Sequence, residues 1–447
     1  MRRCALLVLG FAVLIPVAAV GLGQQPPGPP PPRTLPPSVT GAQPPAAPVT
    51  PAGGVTKTPL STTESALAKF EPLAAFPPTT QHAVRSVLLG AGWLTRTNQP
   101  QGRFRYGYIP ALRQPMDGDH DLHQATAALA LAQAARFAGD DRQATVASQA
   151  ILTLLAVTRI DPADPNCRVP VRASAACNRV GFAAVLALAV YELPGADEKL
   201  IAEAERLCCF LQKQLRPDGS VHYTDGPADV PAQVDPAGVN EYPGYALHAL
   251  AVSDRLRPAA WKTEAVKRGT DHYRAYFKSK PHPMLAATLT PALAELYLRT
   301  KSADTAAAVF ELNDWLIGLQ YPASDPRHPM WAGGFRQWAN GQPVDAVPGA
   351  ECGAYLQSLA CAYQINRLIP PDPAREARYK QAVLDAVQFL TGLQYLESNT
   401  RHFENTFRAT TLIGGFYLSP ADGNLRIDAT ARGVCGMLRF LQCGAER

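Results

Sequence analysis

One phrase recurs along this chain and limits its fold more than any other feature. An aromatic-Leu pair closes a helix-patterned run, a Gln follows a few residues on, and a glycine-containing loop comes next. It reads Trp93-Leu94 to Gln99 before Gly102, Phe210-Leu211 to Gln214 before Asp218-Gly219, Trp315-Leu316 to Gln320 before Gly333-Gly334-Phe335, and Phe389-Leu390 to Gln394 before Gly414-Gly415-Phe416. Recurrence of a whole supersecondary unit predicts a stacked or closed array in which each unit buries the apolar face of its neighbours.

The chain is divided before this array begins. Residues 1–23 carry Arg2 and Arg3, an apolar run from Ala5 to Leu22 and small residues suited to cleavage, the pattern of an export signal peptide; an uncleaved anchor is the alternative. Residues 24–60 hold thirteen prolines among Gly, Ala, Thr and Ser, too little apolar material for a core, and are expected to form a disordered tether. Residues 61–447 are then one folded domain. Export predicts a secreted or periplasmic, envelope-associated protein. The net charge of +5 is spread rather than clustered, which argues against nucleic acid as a partner, and no stretch after the signal is apolar enough to cross a membrane. In an oxidising compartment Cys167 and Cys177, flanking a loop, are candidates for a disulfide. Cys208, Cys209, Cys352, Cys361, Cys435 and Cys443 read as small buried residues.

Hydrophobic periodicity predicts about twelve helices, near 80–95, 121–138, 141–158, 178–192, 196–214, 241–256, 259–276, 284–299, 303–319, 350–367, 374–394 and 427–442, with almost no strand signal. The even-numbered helices are small and apolar on most faces, as in Gly181 to Val190, and the odd-numbered ones are amphipathic, as in Glu198 to Gln214. Even-to-odd links are tight and most odd-to-even links are long, so long loops gather on one face. Six buried helices ringed by six amphipathic ones describe an all-α, (α/α)6 toroid of six helical hairpins; an open solenoid would need shorter and more regular repeats.

The Leu-x-x-x-Gln phrase followed by Asp-Gly or Gly-Gly-Phe resembles the repeats of terpenoid cyclases and protein prenyltransferases. The twelve-helix layout equally resembles the six-hairpin glycosidases, polysaccharide lyases and uronyl epimerases. These resemblances cover nearly all of residues 80–442 and imply a toroid fold, which by itself does not fix the chemistry. The Asp-x-Asp-Asp acid of class II terpene cyclases is not reproduced by Asp117-Gly-Asp-His120, and no short Cys/His zinc motif of the prenyltransferase kind is present. The cluster of His120, His123, Asp117, Asp119 and Asp121 reads as a capped loop rather than a metal site; neither a metal nor a cofactor is expected.

The inner-helix N-termini, with their unpaired N–H groups, are expected to face the long loops and to form the site there. Asp121, Glu241 and Glu351 stand at three such ends and are the candidate catalytic carboxylates, since glycoside cleavage uses a pair of them; capping alone is the competing role. Arg103, Arg179, Arg336 and Arg408 are candidates to hold acidic sugars, and Tyr106, Tyr223, Tyr242 and Trp331 to stack on pyranose rings. His123 and His222 complete the substrate-binding set, with His222 or Tyr223 as a possible base for elimination or epimerisation. The expectation is an envelope protein acting on polysaccharide as hydrolase, lyase or uronyl epimerase. The alternatives are a non-catalytic toroid that binds glycan or protein and a cyclase-like or prenyltransferase-like enzyme.

Overall fold

The computed structural model describes residues 73–171, 178–224 and 238–446. The expected signal peptide and tether, and Cys177, lie outside these residues. Among the described residues are twelve long helices. Six are inner: α2 (Asp121–Ala138), α4 (Arg179–Glu192), α6 (Gly238–Leu256), α8 (Pro283–Thr300), α10 (Cys352–Asn366) and α12 (Ile427–Cys443). Six are outer: α1 (Pro78–Thr97), α3 (Asp141–Leu155), α5 (Glu198–Gln214), α7 (Ala260–Ser279), α9 (Ala303–Ile317) and α11 (Pro373–Gly392).

The sequence sorts the two sets by how much of each helix must leave water. Every residue of α4 from Val180 to Tyr191 is buried, whereas α5 buries only Ala204, Leu207, Cys208, Phe210 and Leu211. A helix apolar on all sides needs cover on all sides, and a ring supplies it. Each inner helix packs on the next, α2 on α4, α4 on α6, and so round to α12, which packs back on α2. Starts and stops are local: Asp140, Asn178, Asp197, Ser302 and Asp372 accept hydrogen bonds from first-turn N–H groups, and Pro78, Pro283 and Pro373 open α1, α8 and α11.

The recurrent phrase has a mechanical explanation. After four of the outer helices the chain makes a one-residue antiparallel bridge, across a tight loop for Asn98 with Phe104 and Leu215 with Val221 and across a longer one for Gln320 with Phe335 and Gln394 with Phe416. The first two bridges use the neighbours of Gln99 and Gln214, so the repeat is structural at the backbone and looser in side-chain identity than the sequence phrase. Where Gln is kept it ties two pieces of backbone. Gln320 donates to the carbonyls of Gly333 and of Ala382 on α11, and Gln394 to those of Gly414 and of Ser86 on α1. The loop glycines are left-handed, φ +82° at Gly333 and +95° at Gly414, and each lies against the backbone of a following outer helix, at Asp385 and at Leu89. A side chain there would be strained and would overlap a carbonyl. Gly414 against α1 also closes the ring of outer helices. Closure is reinforced by Thr80, whose N–H and hydroxyl both donate to Glu446 at 2.8 and 2.7 Å.

Strands are few and short, and all of them lie in loops. The long loops contain β1 (Gly107–Ile109), β2 (Gln114–Met116), β3 (Thr158–Asp161), β4 (Asp164–Pro170), β5 (Gln337–Ala339), β6 (Gln342–Val344), β7 (Tyr417–Ser419) and β8 (Asp422–Arg426). Most span three to five residues, too few for alternation to register in a sequence. β2, β1, β8 and β7 make one antiparallel sheet in that order, with Gly107 opposite Arg426, so the first and last long loops are joined. The β3–β4 hairpin lies on α5, and there Cys167 is bonded to Cys209, Cα atoms 5.2 Å apart. This corrects both the Cys167–Cys177 pairing and the reading of Cys209 as an apolar filler: the pairing depends on a hairpin folding over a helix, which spacing along the chain does not reveal. Cys208, Cys352, Cys361, Cys435 and Cys443 are free and buried.

Candidate functional site

The inner-helix N-termini meet the long loops at one mouth, and four of them deliver charge to it. At the start of α2 a buried Gln124 pins the preceding loop by exchanging hydrogen bonds with the backbone of Phe104 at 2.8 Å in both directions. The pinned loop sends Arg103 back to Asp119 and Asp121, Nη2 to Oδ1 at 2.7 and 2.5 Å. Asp121 is 4 % exposed, so the arginine provides its countercharge and leaves little of it open to a ligand.

The β1–β8 pairing sets the next group. The Ile427 N–H donates to the Tyr106 carbonyl, which carries Tyr106 to the start of α12. Arg426 grips Asp428 with two hydrogen bonds, Nε to Oδ1 at 2.7 Å and Nη2 to Oδ2 at 2.6 Å. Burial opposes ionisation of Asp428, but Arg426, His123 and Arg432 outweigh it and hold the carboxyl well below the usual range. His123 Nδ1 lies 3.2 Å from the Tyr106 hydroxyl and 3.6 Å from Asp428 Oδ1, and its ring stacks on those of Tyr106 and His120 at centroid distances of 5.7 and 4.2 Å. Burial, reinforced by neighbouring cationic groups, lowers the His123 pKa to about 4; His120 is lowered for the same first reason. Both imidazoles are neutral near pH 7. They stack instead of converging, and among the described residues the only cluster with converging metal-ligand atoms is Asp164, Cys167 and Cys209, whose sulfurs form the disulfide.

The centre of the mouth is Arg432, one and a half turns into α12. Its Nη2 donates to Glu241 Oε1 at 2.7 Å, and the same oxygen accepts from the Tyr245 hydroxyl at 3.0 Å, one turn further along α6. Glu241, Tyr245, Asp428 and Glu351 outweigh the burial of Arg432 and push its pKa up. Glu351 stands at the N-cap position of α10 without capping it through its side chain; its Oε1 accepts from the Gly349 N–H ahead of the helix at 3.1 Å, and its charge, with that of Glu241, bears on the buried Tyr355 hydroxyl. Glu241 is thus the carboxylate in contact with Arg432, while Asp428 and Glu351 act on it electrostatically from α12 and α10; the Arg432 Nε has no protein partner.

The other predicted residues divide. Tyr223 and Tyr242 meet at a centroid distance of 6.4 Å, and Tyr242 packs beside Gly181 on α4, near Arg179 at that helix start. His222 lies between Gln214 Oε1 and Thr224 Oγ1, at 3.4 and 3.2 Å. Trp331 stacks on His328 at 3.7 Å and Arg336 covers the Tyr321 ring at 5.1 Å, while Arg408 pairs with Glu397 at 2.9 Å. These last three make their contacts within their own loops and are not joined to the Arg432 cluster. Beneath the cluster the inner helices enclose a cavity of about 330 Å³, whose wall includes Tyr245 and Arg432 but not Asp121, Glu241, Glu351, Tyr223, Trp331 or Arg336. Sequence reasoning did not single out Arg432, Tyr245 or Tyr355, and named Asp428 only as a residue at an inner-helix end. A signal for Arg432 was present: it is the one charge in the small, apolar stretch Ala429 to Leu438.

No family model and no curated protein matches this chain. Solved structures do match it. The α-1,6-mannanase of a Salegentibacter species is similar at 10 % identity and a TM-score of 0.54, over 82 % of this chain and 98 % of that one. A D-mannose isomerase matches at 12 % and 0.57, over 82 % and 99 %. The unsaturated glucuronyl hydrolase of a Bacillus species, responsible for the degradation of glycosaminoglycan, matches at 12 % and 0.57, over 80 % and 96 %. The fold is an (α/α)6 toroid. At these identities the likeness concerns the fold alone.

Proposed function

We propose that this protein is a carbohydrate-active enzyme that works at the long-loop mouth on a polysaccharide or its oligosaccharides, by hydrolysis, elimination or epimerisation. The observation that carries the reading is the Glu241–Arg432 pair, with the Glu351 and Asp428 charges acting on the same arginine and neutral His120 and His123 beside Tyr106, at the N-termini of four inner helices. A toroid of this kind serves a mannanase, a mannose isomerase and a glucuronyl hydrolase, which supports sugar as the substrate class.

The roles follow from what each group can still do. Glu241 has Oε1 occupied by Arg432 and Tyr245, which fixes the carboxylate and leaves Oε2 to act as acid or base. Glu351 is the second carboxylate of the pair. Asp121, paired with Arg103, positions the loop rather than reacting. A neutral His123 with Tyr106 suits hydrogen bonding to a sugar hydroxyl beside a uronate carboxylate, whose charge the arginines of the mouth would balance. The Cys167–Cys209 disulfide supports an oxidising, exported location.

A non-catalytic glycan-binding toroid is favoured by one observation: Asp121, Glu241 and Asp428 are each already ion-paired with an arginine. One experiment decides between the readings. The purified protein is incubated with neutral and uronic-acid polysaccharides and read for new reducing ends and for unsaturated-uronate absorbance. Turnover that falls at least about 100-fold in Glu241→Gln with folding intact supports the enzyme. Glycan retention without product from any polymer supports the binding module.

A further inference from the structure

The cavity inside the ring differs from the mouth above it. Its wall is built from the middles and C-terminal ends of the inner helices, so it extends away from the long loops towards the short-loop face. Arg136 and Arg255, near the ends of α2 and α6, expose about half of their side chains, 49 % and 50 %, and mark the opening on that side. The Glu241, Tyr245 and Arg432 group forms the roof between this space and the mouth.

Charge inside the cavity is unevenly matched. Arg136 pairs with Glu192 at 2.7 Å, Arg255 with Glu295 at 2.9 and 3.1 Å, and Arg432 with Glu241. Arg439 on α12 has no carboxylate within ion-pair distance. Its guanidinium donates only to neutral acceptors: Cys361 Sγ at 3.1 Å, Gln364 Oε1 at 2.5 Å and Gln442 Oε1 at 3.3 Å. Glu295, already held by Arg255, acts on Arg439 only from beyond contact distance, so a partly buried guanidinium with no carboxylate in contact can take an anion arriving in the adjoining space. The same wall carries His248, which burial first, and then Arg255 and Arg439, keep neutral, with a pKa lowered to about 3. A neutral imidazole both donates and accepts, as a sugar hydroxyl requires.

We infer that the short-loop half of the central cavity is a second binding site, for a small organic anion of monosaccharide size whose carboxylate seats on Arg439 and whose hydroxyl groups reach His248. The cavity volume of about 330 Å³ lies at the lower end of the range for small-molecule pockets and takes one such molecule, not a polymer. The site is separate from the mouth, faces the opposite side of the ring and does not depend on the activity proposed there.

The test is calorimetric titration of the whole purified protein with D-glucuronate, D-glucose, inorganic phosphate and sulfate. Glucuronate binding at one site, with glucose undetected, is expected. Arg439→Gln weakens it roughly tenfold to a hundredfold, the loss expected for one charge-assisted contact. Glu295→Gln provides a second reading in case Arg439→Gln does not fold: it releases Arg255 from its carboxylate and tightens glucuronate. No glucuronate binding to the wild type, binding of glucose as strong as of glucuronate, binding of phosphate or sulfate alone, or unchanged affinity in both Arg439→Gln and Glu295→Gln would each overturn the assignment.

Discussion

His123 provides the sharpest physical test of the mouth as the structure describes it. Its pKa is lowered to about 4 in the fold, by burial first, against about 6.5 in an unfolded chain. The unfolded state therefore takes up a proton that the native state refuses. The stability contributed by neutral His123 is complete above pH 6.5 and is lost as the pH falls from 6.5 through 4. By pH 4.5 the loss is about 2.5 kcal/mol for this side chain, which is 17 % exposed and so little screened. His248, lowered to about 3, acts in the same sense and by a similar amount; Glu295, raised by burial, opposes them over the lower part of the window. Asp428 is held below the usual carboxylate range and loses its contribution only below pH 4 or so, outside this window. Urea unfolding followed by tryptophan fluorescence at pH 7.5 and pH 4.5 should show that His123→Gln loses about 2.5 kcal/mol less than the wild type between the two. Equal losses in both proteins would mean that His123 takes its proton freely in the fold, and the packing drawn here for Tyr106, His120 and Asp428 around it would be wrong.

Three further outcomes are expected. Reducing Cys167–Cys209, or replacing both by Ser, opens a link of sequence separation 42 and should lower unfolding free energy by about 4 kcal/mol on the chain-entropy model; labelling of Cys167 under native, non-reducing conditions would refute the pairing. Gly414→Ala should destabilise by more than Gly139→Ala, because both are left-handed but only Gly414 abuts another backbone, that of Leu89. The Gly139 change should cost about 1–2 kcal/mol, and equal midpoints in thermal melts would refute the stapling role of the loop glycines. Arg432→Met should leave Glu241 without its countercharge and cost about 3–5 kcal/mol, with much of the loss recovered in the double variant Arg432→Met, Glu241→Gln; a double-mutant cycle without coupling would separate the two residues.

The sequence was sufficient for the ring and insufficient for the site, and the division has a physical cause. Helix positions are written locally: periodicity placed all twelve long helices, Asp, Asn, Ser and Pro marked their starts, and burial on all faces of Gly181 to Val190 forced an inner layer. The recurrent phrase marked where outer helices end, since a left-handed glycine lying on a backbone has few substitutes. Strands of three residues carry no period, so the loop sheet was not legible. Nor was the Cys167–Cys209 bond, which joins residues brought together only when a hairpin folds over α5. The mouth shows the same limit. Asp121, Glu241 and Glu351 were legible as carboxylates at helix ends, but their differing states come from partners distant in sequence: Arg103 encloses Asp121, and Arg432, 191 residues from Glu241, fixes that carboxylate beside Tyr245. Local patterning determines which segments become helices and which of them must be buried. Only closure of the ring decides which charges face one another, because the Coulomb energy that sets each side chain's role depends on distance in space and not along the chain.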